Sequence, residues 1–129
     1  MAITRWAHAD FYNDGVTTLE SEIEGGGALI VCSGADNPAD YAAAGTAALA
    51  TVATPAITVT GASGADRVLT FDANSTVAID TTGTATNICI VNADTLLLVI
   101  PCTSQALVDT GTVDVPEFAI TLKQPSAPA

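Results

Sequence analysis

A series of short apolar runs in residues 84–123, each separated from the next by a polar break, most constrains the fold of this chain. Residues 87–91 are followed by Asn92-Ala93-Asp94 and then by the apolar residues 95–100. Short apolar runs bounded by Asn, Asp or Gly are typical of strands joined by tight turns. We therefore predict that residues 84–123 form an antiparallel ribbon against which the rest of the chain packs.

The second half of this ribbon shows the same pattern. Asp109-Thr110-Gly111 separates residues 106–108 from residues 113–115. Beyond them Phe118, Ile120 and Leu122 alternate with Ala119, Thr121 and Lys123, a period of two that places the large apolar side chains on one face of a strand. These residues predict a structure, and their chemistry does not indicate an activity.

The first half of the chain predicts further strands and one short helix. Asp14 can cap a helix in which Val16, Leu19 and Ile23 share a face, and Gly25-Gly26-Gly27 is predicted to stop it. Thr81-Thr82-Gly83 is predicted to be the turn of a hairpin. The predicted strands before residue 92 are residues 28–32, about 49–53 after one helical turn, 57–60, 67–71, 76–80 and 86–91.

Strands at intervals of roughly ten residues, with little helix, predict an all-β fold. We expect an antiparallel β-sandwich or flattened barrel of about eight or nine short strands, with an extended N-terminal arm and one short helix. The predicted division is an arm and short helix at residues 1–27, a β-sandwich domain at residues 28–123, and a loose C-terminal tail at residues 124–129.

The charge of the chain limits the partners that it can bind. Fourteen acidic residues against three basic ones give a formal net charge of −11 at pH 7, while 49% of residues are hydrophobic and 13% are charged. A disordered chain is excluded by this composition. Phosphate backbones and anionic membranes should repel the protein, so we predict no direct nucleic-acid partner and no membrane partner. The acidic surface serves solubility or matches a basic partner.

Large side chains are concentrated in the N-terminal arm. Arg5, Trp6, His8, Phe11 and Tyr12 include the single Trp and the single His of the chain. Aromatic and Arg side chains are enriched where proteins dock. We predict that these five residues dock the arm, either on its own sandwich or on a neighbouring molecule.

Residues suited to catalysis or metal binding are sparse. A hydrolase triad requires a His, and His8 lies in the arm. Glu20, Glu22 and Glu24 are interpreted as surface charge. The three cysteines form no metal-binding pair and are predicted to be buried small hydrophobic residues, as expected for synthesis in a reducing cytosol: Cys32, Cys89 and Cys102. We predict no catalytic residues, no metal site and no cofactor, and hence a protein that is not an enzyme.

Several short segments of the sequence, taken together, resemble those of a family of small virion structural proteins of long-tailed bacteriophages. They are Arg5-Trp6-Ala7-His8-Ala9-Asp10-Phe11-Tyr12-Asn13-Asp14-Gly15, Val31-Cys32-Ser33, Gly83-Thr84-Ala85-Thr86, Leu96-Leu97-Leu98-Val99, Cys102-Thr103-Ser104-Gln105-Ala106-Leu107 and Thr112-Val113-Asp114-Val115-Pro116.

Within that family the resemblance favours a capsid decoration, or cement, protein. Such proteins are small β-rich domains, often trimeric, that sit on the outer surface of the shell and bridge major capsid subunits. The resemblance therefore implies the major capsid protein and a homotrimer of this chain as partners. It also implies synthesis in the host cytoplasm and a final place on the outer surface of the capsid. The alternative is a tail or fibre component, or a carbohydrate-binding adhesin module.

Overall fold

The computed structural model describes residues 15–34, 38–61 and 66–122, and within them the chain forms nine strands and two short helices. The predicted all-β, antiparallel, sandwich-like fold is confirmed. In chain order the elements are α1 (Gly15–Gly26), β1 (Ala28–Ser33), α2 (Tyr41–Thr46), β2 (Ala48–Ala53), β3 (Ile57–Thr60), β4 (Arg67–Phe71), β5 (Asn74–Ala78), β6 (Gly83–Val91), β7 (Leu96–Leu107), β8 (Thr112–Val115) and β9 (Phe118–Leu122).

The principal sheet has the strand order β2-β1-β6-β7, and all of its pairs are antiparallel. β6 and β7 form the hairpin predicted at residues 87–100. Asn92 closes its turn, because its backbone N–H donates to the Thr95 carbonyl at 3.0 Å and its side-chain oxygen accepts from the Thr95 N–H at 3.1 Å. The local chemistry of one Asn thus fixes the longest hairpin of the fold.

The second sheet, β3-β4-β9, continues into the two-stranded β5-β8 ribbon. Phe71 pairs with Phe118 and Asn74 pairs with Val115, so one register runs through both pairs of strands. The register shifts only after Asn74, where Thr76 adopts φ 55°. A long antiparallel ribbon therefore leaves the second sheet and joins the edge of β2, where Ile79 bridges to Ala50.

Two predicted pairings are wrong. β8 and β9 pair with β5 and β4 and do not extend the β6-β7 hairpin, so residues 84–123 are not one continuous ribbon. Thr81-Thr82-Gly83 does not close a hairpin between β5 and β6. Instead the N–H groups of Asp80 and Thr81 donate to the Leu49 carbonyl at 2.8 and 3.3 Å. Alternation of apolar residues identifies a strand but not its partner, which long-range packing decides.

The main core lies between the two sheets and includes one face of α1. Leu19 and Ile23 are fully buried, as the helical spacing predicts, in the same cluster as the inward-facing strand residues. The helix is longer than predicted, because it continues through Gly25 and Gly26. The deeply buried strand residues of this core include Leu29, Val31, Leu49, Ile57, Leu69, Phe71, Ile90 and Leu97.

Glu24 joins α1 to the second sheet. Its carboxylate oxygen Oε1 accepts a hydrogen bond of 3.0 Å from the backbone N–H of Ile57, at the start of β3. The side chain thus supplies the acceptor for the backbone N–H at the start of β3.

We expect Glu24→Ala to lower the free energy of unfolding by about 1–2 kcal/mol, because the Ile57 N–H loses its acceptor. Glu24→Gln keeps an acceptor oxygen at the same place and should lose less than half as much. Urea unfolding followed by circular dichroism measures both. Equal losses in the two variants would show that the hydrogen bond to Ile57 is not the stabilising contact.

Candidate interaction surface

The outer face of the second sheet has two central rows of uncharged residues. Ile57, Leu69 and Phe71 point into the core, so the residues between them along each strand point outward. The register aligns the outward residues in two rows across β3, β4 and β9. We call this surface the threonine face, and its members are Thr58, Thr70 and Ala119 in one row and Thr60, Val68 and Thr121 in the other.

The threonine face lacks ionisable side chains in a protein whose net charge is −11. Thr58, Thr60, Ala119 and Thr121 are exposed, while Val68 and Thr70 on the central strand are half-buried. Branching at Cβ leaves Thr and Val few side-chain conformations, so little rotamer entropy is lost when such a face is covered. The six residues of this face carry no charge, and the exposed carboxylates of Asp66, Asp72 and Glu117 flank it at the strand ends.

The size of the threonine face limits what it can bind alone. Three strands about 4.8 Å apart and about four residues long present roughly 200 Å². A stable protein–protein interface buries about 800 Å² on each partner. The threonine face can therefore supply only a part of a larger or repeated interface.

The docking residues predicted from the sequence lie outside the described part of the chain. Arg5, Trp6, His8, Phe11 and Tyr12 all precede residue 15, where the description begins. Their role in docking stays a prediction. The sequence places Thr at alternate positions of β3 and on the neighbouring strands. Only the strand register shows that these residues lie side by side on one face.

The acidic residues of α1 have unequal surroundings. Glu24 contacts the backbone of Ile57, as described above. Glu22 has one carboxylate oxygen, Oε2, that is buried without a hydrogen-bond partner.

Among the described residues no cluster of three or more His, Cys, Asp or Glu side chains is placed to hold a metal ion. No helix in the described segments is both long and apolar enough to cross a membrane.

Two of the three cysteines are buried as predicted. Cys32 and Cys89 are fully buried on the outer face of the principal sheet, and Cys102 on β7 is half-buried. Cys32 donates to the Ala44 carbonyl of α2 at 3.6 Å. The hydrogen bond with the Cys32 thiol, together with burial, raises the pKa of Cys89, and burial also raises the pKa of Cys102. Cys89 is thereby held in the thiol form, while the same contact lowers the pKa of Cys32.

Comparison of the chain with models of protein families, with curated proteins and with solved structures finds no match.

Proposed function

We propose that this chain is a non-enzymatic virion structural protein, a capsid decoration protein that binds the outer surface of the major capsid protein shell and stabilises it. The observation that carries the proposal is the uncharged threonine face on a protein of net charge −11. The resemblance to small phage virion proteins supports the same function, as does an antiparallel sandwich with a well-packed core.

The charge of the protein suits a position outside a DNA-filled shell. A strongly acidic domain is repelled by packaged nucleic acid and does not compete with the capsid for it. Its acidic surfaces stay in solvent, and the threonine face meets the shell without a charge to desolvate. The attachment is then adhesive, and no chemical step is required.

The energetics of attachment require more than one contact. Burying roughly 200 Å² of the threonine face contributes at most about 5 kcal/mol before the cost of association is subtracted. That cost is about 4–15 kcal/mol, so a single face does not hold one monomer on the shell. The N-terminal arm would add aromatic contact area, and a homotrimer would present three faces at once and gain avidity.

Binding to assembled shells and the number of copies per particle test this proposal. Purified protein mixed with expanded, undecorated capsids is expected to saturate a lattice of sites, on the order of hundreds of copies. Saturation should also raise the temperature at which the shells release their DNA. A dozen copies or fewer per particle would instead support a tail or fibre component, and no copies would overturn the virion assignment.

A charge placed in the threonine face should weaken attachment. We expect Thr70→Lys, at the centre of the face, to reduce affinity for shells at least tenfold, because the ammonium group must be desolvated without a partner. Thr51→Lys on β2 is the matched control, since Thr51 is an exposed strand residue outside the face. Equal affinities of the two variants in a sedimentation assay would remove the threonine face from the interface.

Deletion of residues 1–14 tests the arm separately. The truncated protein is expected to fold and to lose most of its occupancy on shells, because the aromatic contacts of Trp6, Phe11 and Tyr12 are gone. Full occupancy after truncation, measured by the ratio of this protein to capsid protein on a gel, would show that the arm does not dock on the shell.

A further inference from the structure

Two buried thiols lie side by side on the outer face of the principal sheet. Cys32 on β1 is opposite Asn87, and Cys89 on β6 is opposite Ile30, so the two cysteines are diagonal neighbours on the same face of paired strands. Both are fully buried in one apolar cluster, the other buried members of which are Ile30, Ala44, Val91, Leu96 and Val99.

We propose that Cys32 and Cys89 are a site of intramolecular disulfide formation that joins β1 to β6 covalently when the protein meets an oxidant. Nothing in the proposed capsid function requires this bond, so the inference stands apart from that function. It rests on the register of β1 with β6 and on the burial of both side chains in one cluster.

The irregular backbone at Cys32 allows the approach that a disulfide needs. Disulfides usually join Cα atoms about 4.4–6.8 Å apart, whereas diagonal neighbours in a regular sheet are separated by about 7–8 Å. Cys32 lies next to a register shift in both of its ladders, after Val31 on the β2 side and before Ser33 on the β6 side. Such bulges bend and twist a strand locally, so a small shift there can bring the two sulfurs together.

The reaction is a two-electron oxidation. The S–H bonds of Cys32 and Cys89 break and one S–S bond forms. The two hydrogens and two electrons reduce an oxidant of the azo class, such as diamide, whose N=N bond becomes a hydrazine. Ala44 of α2 belongs to the buried cluster and accepts from Cys32 at 3.6 Å, so this six-residue helix must open before an oxidant enters. Oxidation should therefore be slow and should accelerate on warming toward the unfolding transition.

The bond would stabilise the fold by restricting the unfolded chain. It closes a loop of about 57 residues, for which the loss of unfolded-chain entropy corresponds to a rise in Tm of about 10 °C. In a glutathione-reduced cytosol the pair stays as thiols, and outside that compartment the bond becomes available.

The test uses a Cys102→Ser protein, which removes the half-buried thiol as a competing site. Diamide treatment followed by unfolding and thiol titration should find no free thiol, and the monomer mass should fall by two hydrogen atoms. The Tm should rise by about 10 °C and return when the protein is reduced. Cys102→Ser with Cys89→Ala is the control, and diamide should change neither its mass nor its Tm.

Three results would overturn the inference. Two free thiols remaining after prolonged treatment just below the Tm would show that the sulfurs cannot meet. A disulfide-linked dimer in place of the lighter monomer would show that the thiols react between molecules. A monomeric disulfide that lowers the Tm would show that the bond strains the sheet and does not lock it.

Discussion

The Gly27→Ala variant is expected to lose about 3 kcal/mol or more of its free energy of unfolding. A Cβ atom built on Gly27 would lie 2.6 Å from the Val91 carbonyl oxygen and 2.7 Å from the Cα atom of Ile23. Both neighbours are backbone atoms in regular elements, so neither can rotate away as a side chain would. One methyl group would therefore push the end of α1 away from the end of β6.

Hydrogen bonds around Gly27 make the displacement more costly. The Gly27 N–H donates to the Ile23 carbonyl at 2.8 Å, and the Gly27 carbonyl accepts from the Thr54 N–H at 2.9 Å. Moving the residue to relieve the contact would stretch both bonds, each of which contributes about 1 kcal/mol. The close approach thus couples α1, β6 and the segment after β2 at one backbone position.

The adjacent glycines supply a matched control for this prediction. Gly25 and Gly26 belong to α1, and a Cβ atom on either would meet nothing within 4 Å. Because Ala favours a helix by about 1 kcal/mol over Gly, Gly25→Ala and Gly26→Ala should be neutral or stabilising. Urea unfolding of the three single variants gives the comparison. A Gly27→Ala protein as stable as the Gly26→Ala protein would contradict the packing described here.

Three consecutive glycines also mark the limit of what the sequence predicts. The run Gly25-Gly26-Gly27 correctly predicts that a helix ends here, since glycine weakens helices. Which of the three glycines is required depends on the Val91 carbonyl, and that residue is far away in the chain. Local chemistry therefore located the helix end within two residues, and a long-range contact determines which position excludes a side chain.

Strand pairings, too, could be predicted where local contacts determine them and could not where distant contacts do. The β6-β7 hairpin was predicted because Asn92 carries its own turn chemistry. Asp109-Thr110-Gly111 also turns the chain, but β8 then pairs with β5, more than thirty residues earlier. Phe118 and Ile120 were placed correctly on one face, while their strand partner was not. A period of two specifies which side chains are buried, and the register is chosen by the complete core.

The threonine face illustrates why the interaction surface was harder to predict than the fold. Thr58 and Thr60 alternate with apolar residues, so their outward direction could be predicted. Their alignment with Thr70 and Thr121 depends on the β3-β4-β9 order, which brings together residues from three separate parts of the chain. The aromatic residues of the arm, Trp6, Phe11 and Tyr12, lie close together in the chain, so their clustering is visible without knowledge of any strand register.

Phe71→Ala is expected to lower the free energy of unfolding by about 3–5 kcal/mol. Phe71 is among the largest fully buried side chains of the described structure, and its ring stacks on that of Phe118 with centroids 4.7 Å apart and planes inclined by 9°. The two residues are also backbone partners at the point where the long ribbon leaves the second sheet. Truncation removes the ring and leaves a cavity where the ribbon leaves the second sheet.

Phe118, the partner of Phe71, provides a second test of the stacking. Phe118 is half-buried, so Phe118→Ala should cost about 1–2 kcal/mol less than Phe71→Ala. The double variant should fall short of the sum of the two single losses by about 1 kcal/mol, which is the usual contribution of a stacked aromatic pair. Strictly additive losses in guanidinium unfolding would show that the rings are neighbours without stabilising each other. In that case the register alone, and not the stacking of Phe71 on Phe118, would hold the ribbon where it leaves the second sheet.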